Sequence, residues 1–236
     1  MLSGSEKYYD DIYSTMGKDY LLEAEKVDGF IQKYKSTDGN ALLDVACGTG
    51  THAGLLSKYY DVVGTDLNQD MLDIARGKHP EIRFIQSDMR SFDLGRKFDA
   101  VTCLFSAIGY MRTKKELRQA IKSMSRHLFP GGVLLVEPWF SPEQWNIGRV
   151  STILVEKPDV KVVRMSHGGK KGKVSLLEFE YLVGTSKGLE HIREHHEFGL
   201  FTHEEYMDAF TQTGLNVTYE PEGVDGRGLL IGTRPA

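Results

Sequence analysis

Leu42-Leu43-Asp44-Val45-Ala46-Cys47-Gly48-Thr49-Gly50 is the stretch on which the fold turns. Its first half is a short apolar run, the pattern of a strand buried on both faces. Its second half carries two glycines two residues apart, so the chain can turn sharply and approach a ligand with no Cβ in the way. Asp44 stands at the junction and aims a negative charge at the loop. Asp61-Val62-Val63-Gly64-Thr65-Asp66 repeats the design, an apolar strand ending on a carboxylate 18 residues after Gly48.

Outward from this pair, strand and helix alternate. Val27, Phe30, Ile31 and Tyr34 recur at helical spacing over 21–35. Leu55, Leu56 and Tyr59 predict a helix over 51–59, and Met71, Leu72 and Ala75 stripe another. Ile82–Ile85, Phe98–Leu104 and Val133–Val136 read as further strands. Leu117, Ile121, Met124 and Leu128 mark a helix that Pro130-Gly131-Gly132 is expected to end. Such alternation implies right-handed βαβ units and a parallel sheet with helices on both faces. After Pro138 the period becomes two. Leu177, Phe179, Tyr181 and Val183 alternate with Glu178 and Glu180, and Ile192, Glu194, His196, Phe198 and Leu200 alternate with Arg193, His195 and Glu197. The basic Gly168–Lys173 stretch reads as a turn before them. Residues 141–200 are therefore expected to form an inserted antiparallel β-meander on the substrate side. Thr202 and Glu205 form a capping box that opens a last helix. Leu215–Tyr219 and Leu229–Gly232 form a closing hairpin. The whole chain, 1–236, reads as one domain: a helical cap over 1–40, a ligand-binding sheet from 41–140 and 201–236, and the insertion.

Composition agrees with one domain and an elaboration. The chain has 236 residues, 40% hydrophobic and 26% charged, which excludes wholesale disorder. Its 29 Lys and Arg against 33 Asp and Glu leave a net charge of −4, which argues against a general nucleic-acid binder. No apolar run reaches the ~20 residues of a spanning helix. Met1–Lys7 has no apolar core, so no leader is expected and the protein is read as cytoplasmic. Two cysteines, Cys47 and Cys103, cannot make a disulfide framework. His52, His191, His195, His196 and His203 lack metal-ligand spacing, and no metal is expected.

The ends of the first two strands describe an adenosine-type pocket. In an open α/β sheet a ligand binds beyond the carboxyl ends of the strands, and a carboxylate at Asp66 suits both hydroxyls of a ribose. A dinucleotide site wants G-x-G-x-x-G with pyrophosphate on a helix N-terminus. Here the third glycine, Gly54, comes one residue late. Asp44 is awkward for a pyrophosphate and suits a ligand with an ammonium and a sulfonium. S-adenosylmethionine is favoured over NAD, and an NAD-linked oxidoreductase is the less favoured reading.

At this point the chain resembles the class I S-adenosylmethionine-dependent methyltransferases. The resemblance rests on Leu43–Gly50, on Gly64-Thr65-Asp66-Leu67 followed by Asp70-Met71-Leu72, and on Ser87-Asp88-Met89-Arg90. It implies a seven-stranded, mostly parallel Rossmann-like sheet with an antiparallel last hairpin. It also implies roles by position. Gly48 and Gly50 would flank the methionine and ribose, Asp66 would take the ribose hydroxyls, and Asp44, Ala46, Cys47 and Leu67 would also bind the cofactor. Met71 would pack on the adenine, Asp88 and Met89 would meet its edge, and Leu104 and Phe105 would line the cofactor.

A closer resemblance runs over nearly the whole chain. Phe105-Ser106-Ala107-Ile108-Gly109-Tyr110, Val136-Glu137-Pro138-Trp139, Arg164-Met165-Ser166-His167 and Gly226-Arg227-Gly228-Leu229 are similar to the nucleotide-linked (dTDP) 3-amino-sugar N,N-dimethyltransferases of desosamine and mycaminose biosynthesis. Tyr9-Asp10 and Gly17-Lys18-Asp19-Tyr20 match their N-terminal segment, which implies that Tyr9 and Tyr20 close over the cofactor. Tyr110 stands where some members carry a His, and Phe140 where they often have a second Trp, so the acceptor sugar could differ.

Methyl transfer from a sulfonium relocates charge, so holding a neutral amine ~3 Å from the methyl, dry and aligned, supplies most of the effect. Tyr110, Glu137 and His196 are the candidates to orient the amine or take its proton. Each also has a plain structural reading as cover, loop anchor or half-buried His. Ser106, Trp139, Phe140, Arg164 and Arg227 are the candidates for the acceptor side. Trp145 is equally suited to the core of the insertion, and Lys170, Lys171 and Lys173 to a solvated tip. The expected partner is a small molecule, a nucleotide-linked amino sugar, with no nucleic acid and no membrane. Exposed edges of the meander could pair with a second copy to make a homodimer. Another small amine, hydroxyl or carboxylate as acceptor, or a non-catalytic cofactor-binding role, remains open at this point.

Overall fold

A computed structural model of the chain describes residues 4–236. Met1, Leu2 and Ser3, part of the stretch read for a leader, lie outside the described residues. Among those described, no helix is long and apolar enough to cross a membrane.

The alternating half folds as its periods dictate. Strands β1 (Ala41–Val45), β2 (Asp61–Asp66), β3 (Arg83–Gln86), β4 (Phe98–Cys103) and β5 (Leu128–Val136) pair in parallel. Helices α2 (Tyr20–Tyr34), α3 (Thr51–Leu56), α4 (Gln69–Lys78) and α5 (Lys114–Arg126) alternate with them, and α6 (His203–Thr211) precedes the closing hairpin of β10 (Asn216–Glu220) and β11 (Leu229–Thr233). Seven strands make one sheet in the order β10-β11-β5-β4-β1-β2-β3. Each central strand buries both faces, because successive residues point opposite ways. Leu42, Ala100 and Leu135 pack with Val27 and Ile31 of α2 and Leu72 of α4. Their neighbours Leu43, Val101 and Leu134 pack with Ile121 of α5 and Phe210 of α6. The expected parallel, two-sided sheet with its antiparallel last hairpin is what the chain builds.

The insertion is a separate antiparallel sheet, β6 (Val150–Glu156), β7 (Val160–Lys171), β8 (Val174–Thr185) and β9 (Gly188–Gly199), in sequence order. Its inner face is covered by the short helix α1 (Tyr9–Thr15). Tyr8 and Ile12 are buried there against Val155, Val162, Tyr181 and Ile192.

Three local expectations are corrected. Pro130-Gly131-Gly132 does not end α5, which stops at Arg126 with His127 as its cap. The three residues lie within β5, where the register with β4 shifts between Phe98 and Ala100. An irregularity of this kind tolerates a proline that cannot donate. The helix over 51–59 closes at Leu56, leaving Tyr59 exposed and burying Tyr60 instead. Gly168–Lys171 continues strand β7, and only Gly172-Lys173 turns. The inward positions of β7 include Arg164 and Ser166, so no apolar period of two announced it.

Gly64 is the packing point between β2 and the glycine loop. A Cβ there would meet Phe84 Cδ1 at 2.5 Å, Phe84 Cε1 at 2.6 Å and Cys47 Sγ at 2.9 Å. Overpacking of this kind costs roughly 1–3 kcal/mol. Gly64→Ala is expected to lower the melting temperature measured by circular dichroism. An unchanged melt would show that Phe84 can move aside freely.

Candidate active site

The sheet order reverses between β1 and β4, and the crevice opens past their carboxyl ends. Gly50 takes a left-handed conformation, φ 74°, to open α3, and Ala46 does the same at φ 58° despite its side chain. Phe105 and Ser106, just after β4, also sit at φ 51° and 56°. Non-glycine residues in this region cost about 1–3 kcal/mol each and persist where their surroundings hold them. Here the holders are visible. Glu137 Oε2 accepts the Phe105 N–H at 2.8 Å, Ser106 Oγ donates to Pro138 O at 2.7 Å, and Arg227 Nη1 donates to Ser106 Oγ at 3.1 Å.

Asp44, next to last in β1, is almost completely buried and accepts from Thr102 Oγ1 at 2.9 Å. Burial pushes its carboxyl up to about 6, moderated by His52 and the Thr102 hydrogen bond. Asp66 accepts the Gly48 N–H at 2.9 Å and the Asn68 N–H at 2.8 Å, bridging the two loops. Burial raises its carboxyl too. Leu67 lies exposed beside it, while Met71 is buried on α4. Asp88 is turned to Arg90, whose Nη2 reaches it at 2.5 Å and holds it below the usual carboxylate range. Met89 packs against the core beside it. Tyr9, Tyr20, Asp44, Ala46, Cys47, Gly48, His52, Leu104 and Phe105 border one cleft. Tyr20 Oη, and Ser87 Oγ after β3, are buried with no hydrogen-bond partner. Two buried carboxylates with no salt bridge among the described residues, and two buried hydroxyls with no partner, fit a ligand with a cationic amino-acid end and a ribose. S-adenosylmethionine is such a ligand.

Between this crevice and the four-stranded sheet stands an aromatic wall. Tyr13 meets Tyr9 at 4.7 Å and Phe105 edge-on at 4.8 Å. Trp139 stacks on Phe198 at 4.4 Å and donates to Ser175 Oγ at 2.9 Å, so it is anchored in the insertion, with Phe140 edge-on to it. Tyr110 remains 45% exposed, its hydroxyl 3.0 Å from His196 Nδ1. Glu137 is buried, and burial with the nearby charge of Asp225 pushes it up to about 7, against the pull of Arg227. Arg227 also pairs with Asp225 at 2.9 Å. Arg164 is buried rather than presented to solvent, 4.6 Å over the Phe179 ring and 5.3 Å from that of Tyr13.

The fold thus brings Tyr9, Tyr20, Asp44, Ala46, Cys47, Gly48, Leu104 and Phe105 to one cleft, with Asp66 bonded to Gly48 at its border, and gathers Tyr110, His196 and Trp139 in the aromatic wall around Phe198. Leu67, Met71, Asp88 and Met89 do not line that cleft, and Arg164 sits deeper beneath α1. Sequence reasoning missed Tyr13, whose i, i+4 spacing from Tyr9 was its only signal. It also missed Lys18, which pairs with Glu23 at 2.6 Å and lies 3.8 Å above the Phe105 ring. Among the described residues no group of three His, Cys, Asp or Glu could hold a metal ion.

Comparison with known proteins bears on this geometry. Residues 42–132 match a family model described as a methyltransferase domain. A curated relative from Streptomyces fradiae, the dTDP-3-amino-3,6-dideoxy-alpha-D-glucopyranose N,N-dimethyltransferase, is 42% identical over 226 residues, covering 95% of this chain and 88% of the relative. The crystal structure of DesVI from Streptomyces venezuelae superposes with a TM-score of 0.93 at 40% identity, covering 100% of both chains. The S-adenosylmethionine-bound amino pentose methyltransferase CalS10 from Micromonospora echinaspora superposes at 0.86, with 40% identity and 96% of each chain covered.

Asp44 yields a prediction in two measurements. Its folded carboxyl titrates near 6, whereas an unfolded chain would ionise it near 4. The folded state therefore holds its proton more tightly and loses stability as pH rises between those values, by about 3 kcal/mol in full. Asp44→Asn removes that loss. The variant is expected to melt higher than the parent at pH 7, with the gap closing toward pH 4. Calorimetry should show S-adenosylhomocysteine binding roughly tenfold weaker or more, from the loss of a charge-assisted contact. Equal affinity would remove Asp44 from the site.

Proposed function

The chain belongs to the S-adenosylmethionine-dependent methyltransferases, in the branch that contains the dTDP-amino-sugar N,N-dimethyltransferases, and from that premise we propose that it dimethylates the amino group of a nucleotide-linked amino sugar. One observation carries the reading to this chain: a cationic-ligand strip at Asp44 and Asp66 faces an aromatic wall whose Tyr110 hydroxyl leads to an imidazole. The bound cofactor supplies a methyl on a sulfonium. The protein supplies position and dryness. Asp44 and Tyr20 hold the amino-acid end, Asp66 the ribose, and Met71 with Leu67, Asp88 and Met89 the base. Leu104 and Phe105, fixed by Glu137 and Arg227, set the floor against which the acceptor lies. Alignment of a neutral amine in a closed site provides most of the acceleration such a displacement needs.

On the acceptor side, Trp139 and Phe140 offer apolar surface to the sugar or base, and Ser106 and Arg227 offer hydrogen bonds near the reacting end. Arg227 already serves Ser106, Asp225 and the Phe105 floor. Its loss should therefore weaken both ligands rather than the acceptor alone. Arg164 supports the wall from beneath. Tyr110 receives the amine proton, and Glu137, poised near neutrality, steadies charge at the Phe105 end of the site.

We also propose a homodimer through the outer face of the four-stranded sheet. Leu154, Met165 and Leu182 are about half exposed there, and the register sets Leu154 and Leu182 either side of Val163. Light scattering should find a dimer that Leu182→Arg splits. A monomeric parent would refute it.

The deciding experiment for function is turnover of methyl-labelled S-adenosylmethionine with dTDP-3-amino and dTDP-4-amino sugars and with simple amines. A dimethylated amino-sugar nucleotide is the expected product. Transfer only to other small molecules would move the acceptor. Tight S-adenosylhomocysteine binding with no turnover on any acceptor would reduce the protein to a cofactor binder.

A further inference from the structure

We propose that Tyr110, His196 and Glu194 form a proton relay from the acceptor nitrogen, that Ser5 of the N-terminal segment completes it, and that it controls the second of the two methyl transfers. The proposal rests on the amino-sugar reading above and assigns a positioning role to two residues, Glu194 and Ser5, outside the site strip.

The geometry is continuous. Tyr110 Oη lies 3.0 Å from His196 Nδ1, and His196 Nε2 lies 3.2 Å from Glu194 Oε2. Glu194 is 4% exposed. Its Oε2 also accepts from Tyr181 Oη at 2.8 Å, and its Oε1 accepts from Ser5 Oγ. A carboxylate on the inner face of β9, in the apolar layer of Phe179, Tyr181 and Ile192, is costly unless every lone pair is used. These donors hold it below the usual carboxylate range in spite of burial. An ionised Glu194 requires a proton on His196 Nε2. Nδ1 is then the free lone pair, and Tyr110 donates to it. Tyr110 is 45% exposed and its hydroxyl oxygen, donating to His196, keeps its lone pairs for a further partner.

The arrangement has the order of a nucleophile–base–orienter chain, with an amine at its open end. Other groups face it from the packed elements: Tyr181 from β8 with Arg164 from β7 beside it, and Tyr9 and Tyr13 from α1 and Asp66 from β2 toward Tyr110. Arg164 adds positive charge beside Tyr181. Ser5 comes from the segment leading into α1. Helix α1, which follows it directly, ties to the glycine loop and to α4 through Asp10, which accepts from Thr49 Oγ1 at 2.7 Å and Lys78 Nζ at 2.7 Å. One strap thus touches the cofactor loop at one end and the relay carboxylate at the other.

The chemistry explains why two transfers are unequal. In each, the nitrogen lone pair forms the N–C bond while the C–S bond breaks and its electron pair leaves with sulfur. The nitrogen is then positively charged and has no lone pair. The first transfer can use an amine that lost its proton in solution before binding. The second needs the proton of the monomethylammonium removed. Inside the site, the N–H electron pair stays on nitrogen and the proton goes to Tyr110 Oη. The proton of Tyr110 passes to His196 Nδ1, and the imidazolium beside Glu194 holds it until the site opens. Release of the monomethyl product to solvent is the slower alternative.

The test compares the parent with Glu194→Gln, His196→Gln and Ser5→Ala on the dTDP-amino sugar, with excess S-adenosylmethionine, separating mono- from dimethylated product over time and across pH. Melting and S-adenosylhomocysteine calorimetry check that each variant is folded and loaded. Glu194→Gln and His196→Gln are expected to slow the second transfer roughly tenfold more than the first, the low end of what a positioned proton acceptor contributes. Monomethyl product then accumulates, most at low pH. Ser5→Ala should shift the ratio the same way by less. Nitrogen-15 NMR of labelled histidines supplies a reading independent of turnover. The resonance absent from His196→Gln should report an Nε2–H tautomer in the parent and lose that bias in Glu194→Gln. An unchanged product ratio at every pH in folded, cofactor-binding Glu194 and His196 variants, or an Nδ1–H tautomer in the parent, would overturn the relay. An unchanged ratio in Ser5→Ala alone would overturn the part given to the strap. Failure of the parent to methylate any amine would instead strike the acceptor reading, while the tautomer still decides the relay.

Discussion

Buried negative charge at the ends of parallel strands is the constraint from which the rest of this structure follows. Asp44 is next to last in β1, Asp66 ends β2, and Glu137 follows β5, all at the carboxyl ends of strands in one sheet. A carboxylate that leaves water without a counter-ion is expensive. Thr102, the Gly48 and Asn68 amides, and the Phe105 amide with Arg227 each lower the cost at one of them without removing it. A fold left with that deficit favours a cationic ligand by the energy it recovers on binding. The opposite sign of charge would have made the same crevice a phosphate site, as the βα turn otherwise invites. The identity of one residue, Asp44, thus separates two chemistries on a shared architecture.

Backbone strain gathers at the same places. Ala46, Phe105 and Ser106 are the non-glycine residues at positive φ among those described; the first two border the crevice and Ser106 follows Phe105. Glu137 has two jobs in consequence. Its Oε2 holds the Phe105 amide and so fixes a strained turn, while Oε1 is left without a hydrogen-bond partner 3.8 Å from Arg227. The floor on which cofactor and acceptor would meet is therefore set by a carboxylate that can titrate near neutrality.

How far the sequence could be read depended on which faces were apolar. Strands β1, β2, β4 and β5 were legible because central parallel strands must be apolar on both sides, and the glycine loop and Asp66 came with them. Strands β6 and β7 were not, because the buried positions of β7 include Arg164 and Ser166, and the half-buried Ser151 of β6 bonds to Ser166. The same reason hid the relay. The alternation of Ile192, Glu194, His196 and Phe198 was visible as a strand, yet Glu194 looked like an ordinary polar residue until Tyr181 and Ser5 were found against it. A side chain that is polar and inward reads as noise in a hydrophobic pattern, and here it is signal. Arg164 was harder to read. Its charge made it a candidate for the acceptor side, and it lies buried over Phe179 with its Nε unpartnered.

The N-terminal segment resolves what joins the two sheets. Ile12 packs into the inner face of the insertion, and Asp11 pairs with Lys157 of the loop between β6 and β7. Asp10 meets Thr49, Thr51 and Lys78, and Glu6 meets Asn68 beside Asp66. These polar ties are individually weak where they are exposed. Together they tie the glycine loop, the turn after Asp66 and the four-stranded sheet to one short segment. Glu6, Asp10 and Asp11 each meet a different part of the chain, while Ile12 supplies the apolar contact. The two sheets are therefore joined by a buried apolar contact and a set of polar contacts around it, and the acidic residues of this segment are part of the chain's slight negative charge.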